Sequence, residues 1–248
     1  MVEPLCDGVG LLGPLGELFP DMSEEDWVTY RERYPELVAG DAWRLPIMCF
    51  LVREGDATVL VDTGAGPTGL WRDWMPEPQA QERLLPDLRA HGVEPDDVDV
   101  VFLTHVHIDH VGWNAEEDGS PVFPRARYLL HADALEAARR RASRIHIARC
   151  VLGLGDRLET VTDGQEIGPG VFVVSLPGHD DGHVGLVIGD HAAIVADAVP
   201  HPAQLDHPEW KFGYDEDHDR AIETRRRIVD DFGDRLLYLS HMSTGWHR

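Results

Sequence analysis

The sequence predicts a domain of the mixed α and β class, and three observations support this. Short apolar runs that are typical of strands occur in pairs around tight-turn residues, as in 47–64 around Glu54-Gly55-Asp56. Segments with helical alternation of polar and apolar residues lie between these pairs. No internal repeat, low-complexity tract or Gly/Ser linker divides the 248 residues, so we predict a single domain over 1–248.

Four segments are predicted to be helical. Segment 23–34 begins with Ser23 and has Asp26 three residues later, which is typical of a helix N-terminus. The other predicted helices contain helical alternation or end at glycine, and they are 81–92, 132–150 and 215–233.

The remaining apolar runs are predicted strands. After the hairpin at 47–64 they are, in chain order, 97–105, 127–132, 171–176, 184–189, 191–198 and 234–241. Polar side chains stand just past the ends of several runs, namely Asp62, His105, His179, Asp197 and His241. Packed sheets place functional residues at strand ends and in the loops that follow them, so we expect these side chains to lie close together.

The charge balance excludes several classes of partner. The chain has 45 acidic and 22 basic residues, and its formal net charge is −23. Such a field repels nucleic acid and anionic membrane surfaces, so neither is an expected partner. No run of 18 or more apolar residues is present, so no transmembrane helix is expected.

The cysteines indicate a reducing compartment. Cys6, Cys49 and Cys150 are odd in number and widely spaced, which argues against a disulfide framework. The first twenty residues have no basic segment before an apolar run, so they do not predict a signal peptide. We therefore expect a cytoplasmic protein.

The segment THVHIDHVGWN (104–114) contains the most informative motif. Imidazole and carboxylate side chains hold transition metals. His105 and His107 point the same way on an extended segment, so both can bind one ion. Asp109 and His110 follow at once and require a turn, which can direct them at a second ion. Two ions need further ligands, and the strand-end candidates are His179, His183, Asp197 and His241.

The motif His-x-His-x-Asp-His, the later Pro-Gly-His-x-x-Gly-His (177–183), a strand-end Asp197 and a late His241 resemble the metallo-β-lactamase superfamily. The resemblance covers nearly the whole chain. It implies an α+β fold, the αββα sandwich, in which two mixed β-sheets pack face to face between outer helices. It also implies a site at one edge of that sandwich.

Carried over by position, the resemblance implies two divalent metal ions, zinc first, with manganese, iron or cobalt as alternatives. The implied ligands are His105, His107 and His183 for metal 1, Asp109, His110 and His241 for metal 2, and Asp197 as a bridge between them. Asp62 is expected to support the ligand loop through hydrogen bonds, and His179 is expected to play a supporting or structural part. Such supporting groups set the tautomer and orientation of imidazole ligands.

Two divalent ions lower the pKa of a bridging water, so the expected reaction is attack by a metal-bridging hydroxide on an electrophilic carbon or phosphorus. Asp109 can take the proton and pass it to the leaving group. Segments 109–114 and 201–210 resemble a branch with N-acyl-homoserine lactonases and methyl parathion hydrolase-like proteins. The favoured function is cleavage of a small ester, a lactone or a related acyl compound. Phosphotriester or thioester hydrolysis, iron-dependent redox chemistry and metal binding without catalysis remain open alternatives.

Aromatic residues near the motif predict a small-molecule substrate with an apolar portion. The expected substrate-binding residues are Trp113, His201, Trp71 and Trp74. Segment 66–78 is rich in Gly and Pro and could form a lid. Only seven residues follow His241, so the site could stay open or be closed by a second subunit of a homodimer.

Overall fold

Two β-sheets form the centre of the fold. The computed structural model describes residues 1–55, 57–67, 70 and 82–247. In these residues the first sheet consists of β1 (Val2–Pro14), β2 (Val38–Ala39), β3 (Ala42–Glu54), β4 (Ala57–Val61), β5 (Val100–Phe102), β6 (Arg127–His131) and β7 (Leu158–Val161). The second consists of β8 (Glu166–Gly168), β9 (Val171–Ser175), β10 (Val184–Ile188), β11 (Ala192–Ile194) and β12 (Leu236–Tyr238).

Both sheets are mixed. The order of the first sheet is β1-β3-β4-β5-β6-β7, with β2 on β3. The predicted hairpin is present, because β3 and β4 pair antiparallel, whereas β4 to β7 run parallel. The order of the second sheet is β12-β11-β10-β9-β8, in which the pair of β11 and β12 is parallel.

The two sheets pack face to face because their strands are apolar on both sides. Phe50 and Val52 of β3 join an apolar layer that also contains Leu186 of β10. Leu51 points to the opposite side and joins the larger cluster that includes residues of the helices. The predicted α+β class with two face-to-face sheets is therefore confirmed.

The described helices cover the sheets and connect their strands. They are α1 (Leu15–Leu18), α2 (Glu24–Arg33), α3 (Leu84–Ala90), α4 (Ile108–Val111), α5 (Ala132–Arg140), α6 (Ile145–Cys150), α7 (Ala203–Asp206) and α8 (His218–Phe232). The predicted start of α2 is confirmed, because the Ser23 hydroxyl accepts a hydrogen bond from the Asp26 amide at 3.2 Å. None of the described helices has the length and apolar character needed to cross a bilayer.

The single long helix predicted over 132–150 is wrong, because α5 and α6 are separated by a turn. The Arg144 amide closes this turn on the Arg141 carbonyl at 3.0 Å. The Arg141 side chain donates to Asp180 Oδ1 at 2.7 Å and pairs with Glu216. These long-range ion pairs stabilise a break that the helical pattern of the segment does not reveal.

The first strand, β1, was not predicted, because glycine and proline interrupt its apolar pattern. It pairs with β3 along most of its length, and the pairing shifts register between Cys6 and Gly8. Asp7 lies at this irregularity and is buried. Its carboxylate accepts hydrogen bonds from the Ala65 amide at 2.9 Å and from the Trp113 indole at 2.9 Å.

The loop after β4 and the chain after α4 pack backbone to backbone. A Cβ atom on Gly112 would lie 2.0 Å from the Ala65 carbonyl carbon, which no real contact allows. The Gly112 amide donates to the Gly64 carbonyl at 2.7 Å, and the Trp113 amide donates to the Thr63 carbonyl at 3.0 Å. This close contact holds the segment that carries the histidine motif against the first sheet.

Candidate metal centre

The histidine motif spans the loop after β5 and the short helix α4. His107 is the residue before the helix and has an extended backbone, with φ −67° and ψ 158°. The chain then turns into α4, which carries Asp109 and His110. The turn that the sequence requires is therefore present. His105 lies in the loop and is completely buried.

Ligand atoms of the described residues form two groups, each with its atoms within 4.8 Å of one another. The first group contains His105, His107, His179 and Asp197, and the second contains Asp109, His110 and His241. Six of the seven ligands implied by the resemblance lie in these groups, whereas His183 does not.

In the first group, the nitrogen and oxygen atoms lie within 4.8 Å of one another. His107 Nδ1 lies 3.3 Å from His179 Nε2. Asp197 Oδ2 lies 3.5 Å from His179 Nε2 and 4.0 Å from His105 Nε2. Three imidazoles and one carboxylate form a donor set that suits zinc and similar divalent cations.

In the second group, Asp109 Oδ2 lies 3.8 Å from His110 Nε2 and 3.9 Å from His241 Nε2. The same Asp197 oxygen that faces the first group also lies 3.5 Å from His110 Nε2 and 3.2 Å from His241 Nε2. Asp197 therefore stands between the two groups and can serve both.

Orphaned polar atoms test whether these residues fit a metal. His105 Nε2, His110 Nε2 and Asp197 Oδ1 are buried and have no hydrogen-bond partner among the described residues. Buried polar atoms without a partner are rare and costly in folded proteins. All three belong to the two groups, and each is the type of atom that binds a divalent cation. Both ring nitrogens of His183, whose ring lies beside that of His105, are also without a partner. The residues fit a pair of metal ions.

Hydrogen bonds to their Nδ1 atoms orient the rings of His110 and His105. Asp62 Oδ2 accepts from His110 Nδ1 at 2.7 Å and from the Thr104 hydroxyl at 2.8 Å. Because that hydroxyl donates its hydrogen bond to Asp62, its oxygen accepts from His105 Nδ1 at 3.1 Å. Both imidazoles then hold a proton on Nδ1, so Nε2 is the nitrogen that faces a cation.

Two further histidines are held in the same way. His241 Nδ1 donates to the Pro46 carbonyl at 2.8 Å. His179 Nδ1 donates to Asp215 Oδ1 at 3.1 Å. Neither Thr104 nor Asp215 was identified from the sequence. Thr104 directly precedes the motif, which was a usable signal, whereas Asp215 lies in a loop without any distinctive spacing.

The ligand atom of His179, and not that of His183, lies in the first group. Both ring nitrogens of His183 are buried and have no hydrogen-bond partner among the described residues, and its ring centroid lies 5.0 Å from that of His105. The His183 amide closes a turn between the two residues on the Asp180 carbonyl at 3.2 Å, directly before β10.

Burial keeps His105 and His107 of the first group neutral. It lowers the pKa of His105 well below the usual range. Burial, together with the neighbouring His179 ring, lowers the pKa of His107 to about 3. Because a neutral imidazole keeps its lone pair, these side chains can bind a cation without first losing a proton.

The second group has the opposite electrostatics. Burial opposes protonation of His110, but the carboxylates of Asp197 and Asp62 outweigh it and raise the pKa of His110 well above its usual value. Asp197 likewise raises the pKa of His241. A cation that binds here must displace protons, because it takes the place of the charge that the carboxylates attract.

A cavity of about 570 Å³ opens onto both groups. Its apolar wall includes Leu12, Trp43, Leu45, Leu70, Ile108, Ile145, Phe212 and Tyr214. Arg141, Arg144 and Glu216 contribute polar lining, while Asp109 and His179 face it from the metal groups. Neither Trp43 nor the leucines of β1 and β3 were predicted as lining, because their sequence pattern is that of ordinary buried strands.

Two of the predicted substrate-binding residues, Trp113 and His201, do not line this cavity. The Trp113 side chain is buried, and its indole donates a hydrogen bond to Asp7. Trp71 and Trp74, with most of the predicted lid 66–78, lie outside the described residues.

His201 does not line the cavity either and is enclosed by aromatic rings. Its ring centroid lies 5.6 Å from that of Phe19, 5.8 Å from that of Trp27 and 5.9 Å from that of Trp43. Its Nδ1 accepts from the Ala203 amide at 3.1 Å. His201 is therefore part of the core beside the site.

The substitution His201→Gln is expected to make stability less sensitive to acid. Burial lowers the pKa of His201 from the usual 6.5 to about 3. As the pH falls from about 6.5 towards 3, the unfolded chain takes up a proton here and the folded chain does not. Stability is therefore lost in that window, by up to about 1.4 kcal/mol per pH unit.

Urea unfolding of both proteins at pH 7 and pH 4.5 measures the effect of His201→Gln. The free energy of unfolding of the variant should fall less between these two pH values. An equal fall in both proteins would contradict the neutral buried state of His201.

Comparisons with known proteins match this chain to one family over most of its length. The family model described as Metallo-beta-lactamase superfamily matches residues 42–241. An N-acyl homoserine lactonase of Bacillus cereus is 27% identical over 164 residues, which are 61% of this chain and 62% of that protein. The match thus covers less than two thirds of that relative.

Solved structures match over almost the whole chain. A crystal structure described as hydrolase AbOPH in the beta lactamase superfamily has a TM-score of 0.81 and 25% identity, and the match covers 99% of this chain and 89% of the other. AidC, a dizinc quorum-quenching lactonase, has a TM-score of 0.80 and 21% identity, with 97% and 86% covered. The latter likeness supports the fold alone.

Proposed function

We propose that this chain, which belongs to the metallo-β-lactamase superfamily, is a metal-dependent hydrolase that cleaves a lactone or a related small acyl ester. Two divalent cations are the proposed cofactors, zinc first. The proposed ligands are those of the two groups, with His179 in place of His183. The curated relatives named as N-acyl homoserine lactonases support the lactone class.

The position of Asp197 carries the proposal. One carboxylate oxygen lies within 4.0 Å of nitrogen atoms from both groups of histidines. A carboxylate that only balanced the charge of one histidine would need contact with one group alone. A carboxylate between two sets of imidazoles is the arrangement expected when two cations share one ligand.

When bound, two divalent cations supply Lewis-acid polarisation of the ester carbonyl and a water of lowered pKa. The residues of the chain orient and protect this chemistry. The imidazole rings are held by hydrogen bonds to Asp62, Thr104 and the Pro46 carbonyl. Burial excludes bulk water from the ligand atoms.

Asp109 is the proposed proton carrier. It is buried, it faces the cavity, and burial raises the pKa of its carboxyl group. A carboxylate of raised pKa can take the proton of the attacking water and release it to the alkoxide that leaves when the ester bond breaks. No serine or cysteine nucleophile is required.

The cavity supports a substrate with an apolar portion. Trp43, Leu45 and Phe212 lie on its wall beside His107 and Asp109, so an acyl chain can pack there while the ester faces the proton carrier. Arg141 is paired with Asp180 and Glu216, which balances its charge at the same cavity.

The test is proton release from a panel of lactones, thioesters and phosphotriesters by protein loaded with zinc or manganese. His107→Ala serves as the blank, because it removes a proposed ligand. His191→Ala is the matched control, because His191 is exposed in the turn between β10 and β11.

Lactone turnover that is lost in His107→Ala and kept in His191→Ala would support the proposal. Full turnover by His107→Ala with two metals bound would contradict the proposed site. If no lactone is hydrolysed but thioesters or phosphotriesters are, the proposed substrate class would be wrong and the proposal of a metal-dependent hydrolase would stand. Oxygen consumption by the iron-loaded protein would point to redox chemistry instead.

We also propose that residues 1–248 form one cytoplasmic domain. Its three cysteines are unpaired, which fits a reducing compartment. A homodimer stays a prediction, and sedimentation at several protein concentrations tests it.

A further inference from the structure

Arg225 is the most unusual buried residue outside the two metal groups. It lies on α8 and its side chain is completely buried. A buried arginine is costly unless every donor is matched. Its guanidinium donates to Asp215 Oδ2 at 2.9 Å, to the Trp210 carbonyl at 3.0 Å and to the Pro208 carbonyl at 3.1 Å. Each of its three nitrogens therefore has a partner.

Asp215 connects this arginine to the metal groups. Its Oδ2 binds Arg225, and its Oδ1 accepts from His179 Nδ1 at 3.1 Å. The carboxylate is thus held at one oxygen and directs the other at the histidine. With its proton on Nδ1, His179 presents Nε2 to His107 and Asp197.

The backbone reinforces the same connection. The Glu216 amide donates to the His179 carbonyl at 3.1 Å, and the Asp217 amide donates to the Gly178 carbonyl at 2.9 Å. A Cβ atom on Gly178 would lie 2.3 Å from the Ala221 amide nitrogen, so this loop touches α8 directly. The loop of His179 is therefore fastened to the same helix that carries Arg225.

We propose that Asp215 and Arg225 are positioning residues that hold the ring of His179 as a metal ligand, with Arg225 fixing Asp215 and Asp215 fixing the imidazole. This inference rests on the proposed dinuclear site and adds an outer support that runs from α8 to the first metal group. A side chain in contact with a ligand histidine acts on metal affinity, typically by about 10–100-fold.

The test is titration of the metal-free protein with cobalt(II), followed by its visible absorption, for wild type, Asp215→Asn and Arg225→Met. Asn is isosteric with Asp but replaces one acceptor oxygen by a donor, so it cannot accept from both Arg225 and His179. Arg226→Met is the matched control, because Arg226 is exposed and adjacent on α8. Circular dichroism reports whether each variant is folded.

Both variants should bind one cobalt equivalent about 10–100-fold more weakly, with an altered absorption band for that equivalent. The other equivalent and the Arg226→Met variant should match wild type. Arg225→Lys keeps the charge and loses the three-way contact, so it should fall between wild type and Arg225→Met.

A folded Asp215→Asn protein with unchanged cobalt affinity and spectrum would overturn the positioning role, and so would a wild type that binds no cobalt. If Arg225→Met fails to fold, Asp215→Asn decides alone. If wild type and variants bind cobalt as expected but wild type cleaves no lactone, the proposed substrate would be wrong and the positioning role would stand.

Discussion

Replacing Asp197 by asparagine is expected to weaken the binding of both metals and to lower turnover by at least about 100-fold. Loss of a residue that only supports a ligand costs about 10–100-fold in affinity, and a shared ligand should cost more. Asp197 Oδ2 lies 3.2 Å from His241 Nε2 in one group and 3.5 Å from His179 Nε2 in the other. An uncharged amide cannot balance two cations at this point.

Elemental analysis after dialysis measures the bound metal, and turnover is measured with excess metal. Asp190→Asn is the matched control, because Asp190 is exposed in the turn after β10. Retention of two metals at wild-type affinity in Asp197→Asn would rule out its shared position.

The substitution Asp109→Asn is expected to slow turnover by two or more orders of magnitude while the first metal stays bound. Asp109 belongs only to the second group, so the histidines of the first group are untouched. A lost acid or base costs about 10²–10⁴-fold in rate. Asparagine keeps the size of the side chain and one oxygen, but it cannot take up a proton near neutral pH.

Turnover at saturating metal and saturating substrate separates this role from simple metal loss. If Asp109 only held a cation, excess metal should restore the rate of Asp109→Asn. A rate that stays low with two metals bound supports proton transfer. Wild-type turnover in the variant would exclude Asp109 as the proton carrier.

Much of the fold was predictable because its signals are local. The hairpin of β3 and β4, the cap of α2 and the short buried strands follow from neighbouring residues. The missed elements depend on distant contacts. β1 needs β3 as a partner to compensate for its glycines and prolines, and the break at Arg141 is stabilised by Asp180 and Glu216.

The sequence by itself predicted a two-metal site, since six adjacent positions place two pairs of ligands on one extended segment and one turn. It predicted His183 as the third ligand of metal 1 and His179 as a supporting residue. In the folded chain the ligand atom of His179, and not that of His183, lies with those of His105, His107 and Asp197, which is why His179 is the proposed ligand. Asp215 and Arg225 likewise came from packing, because α8 reaches the site only in the folded chain.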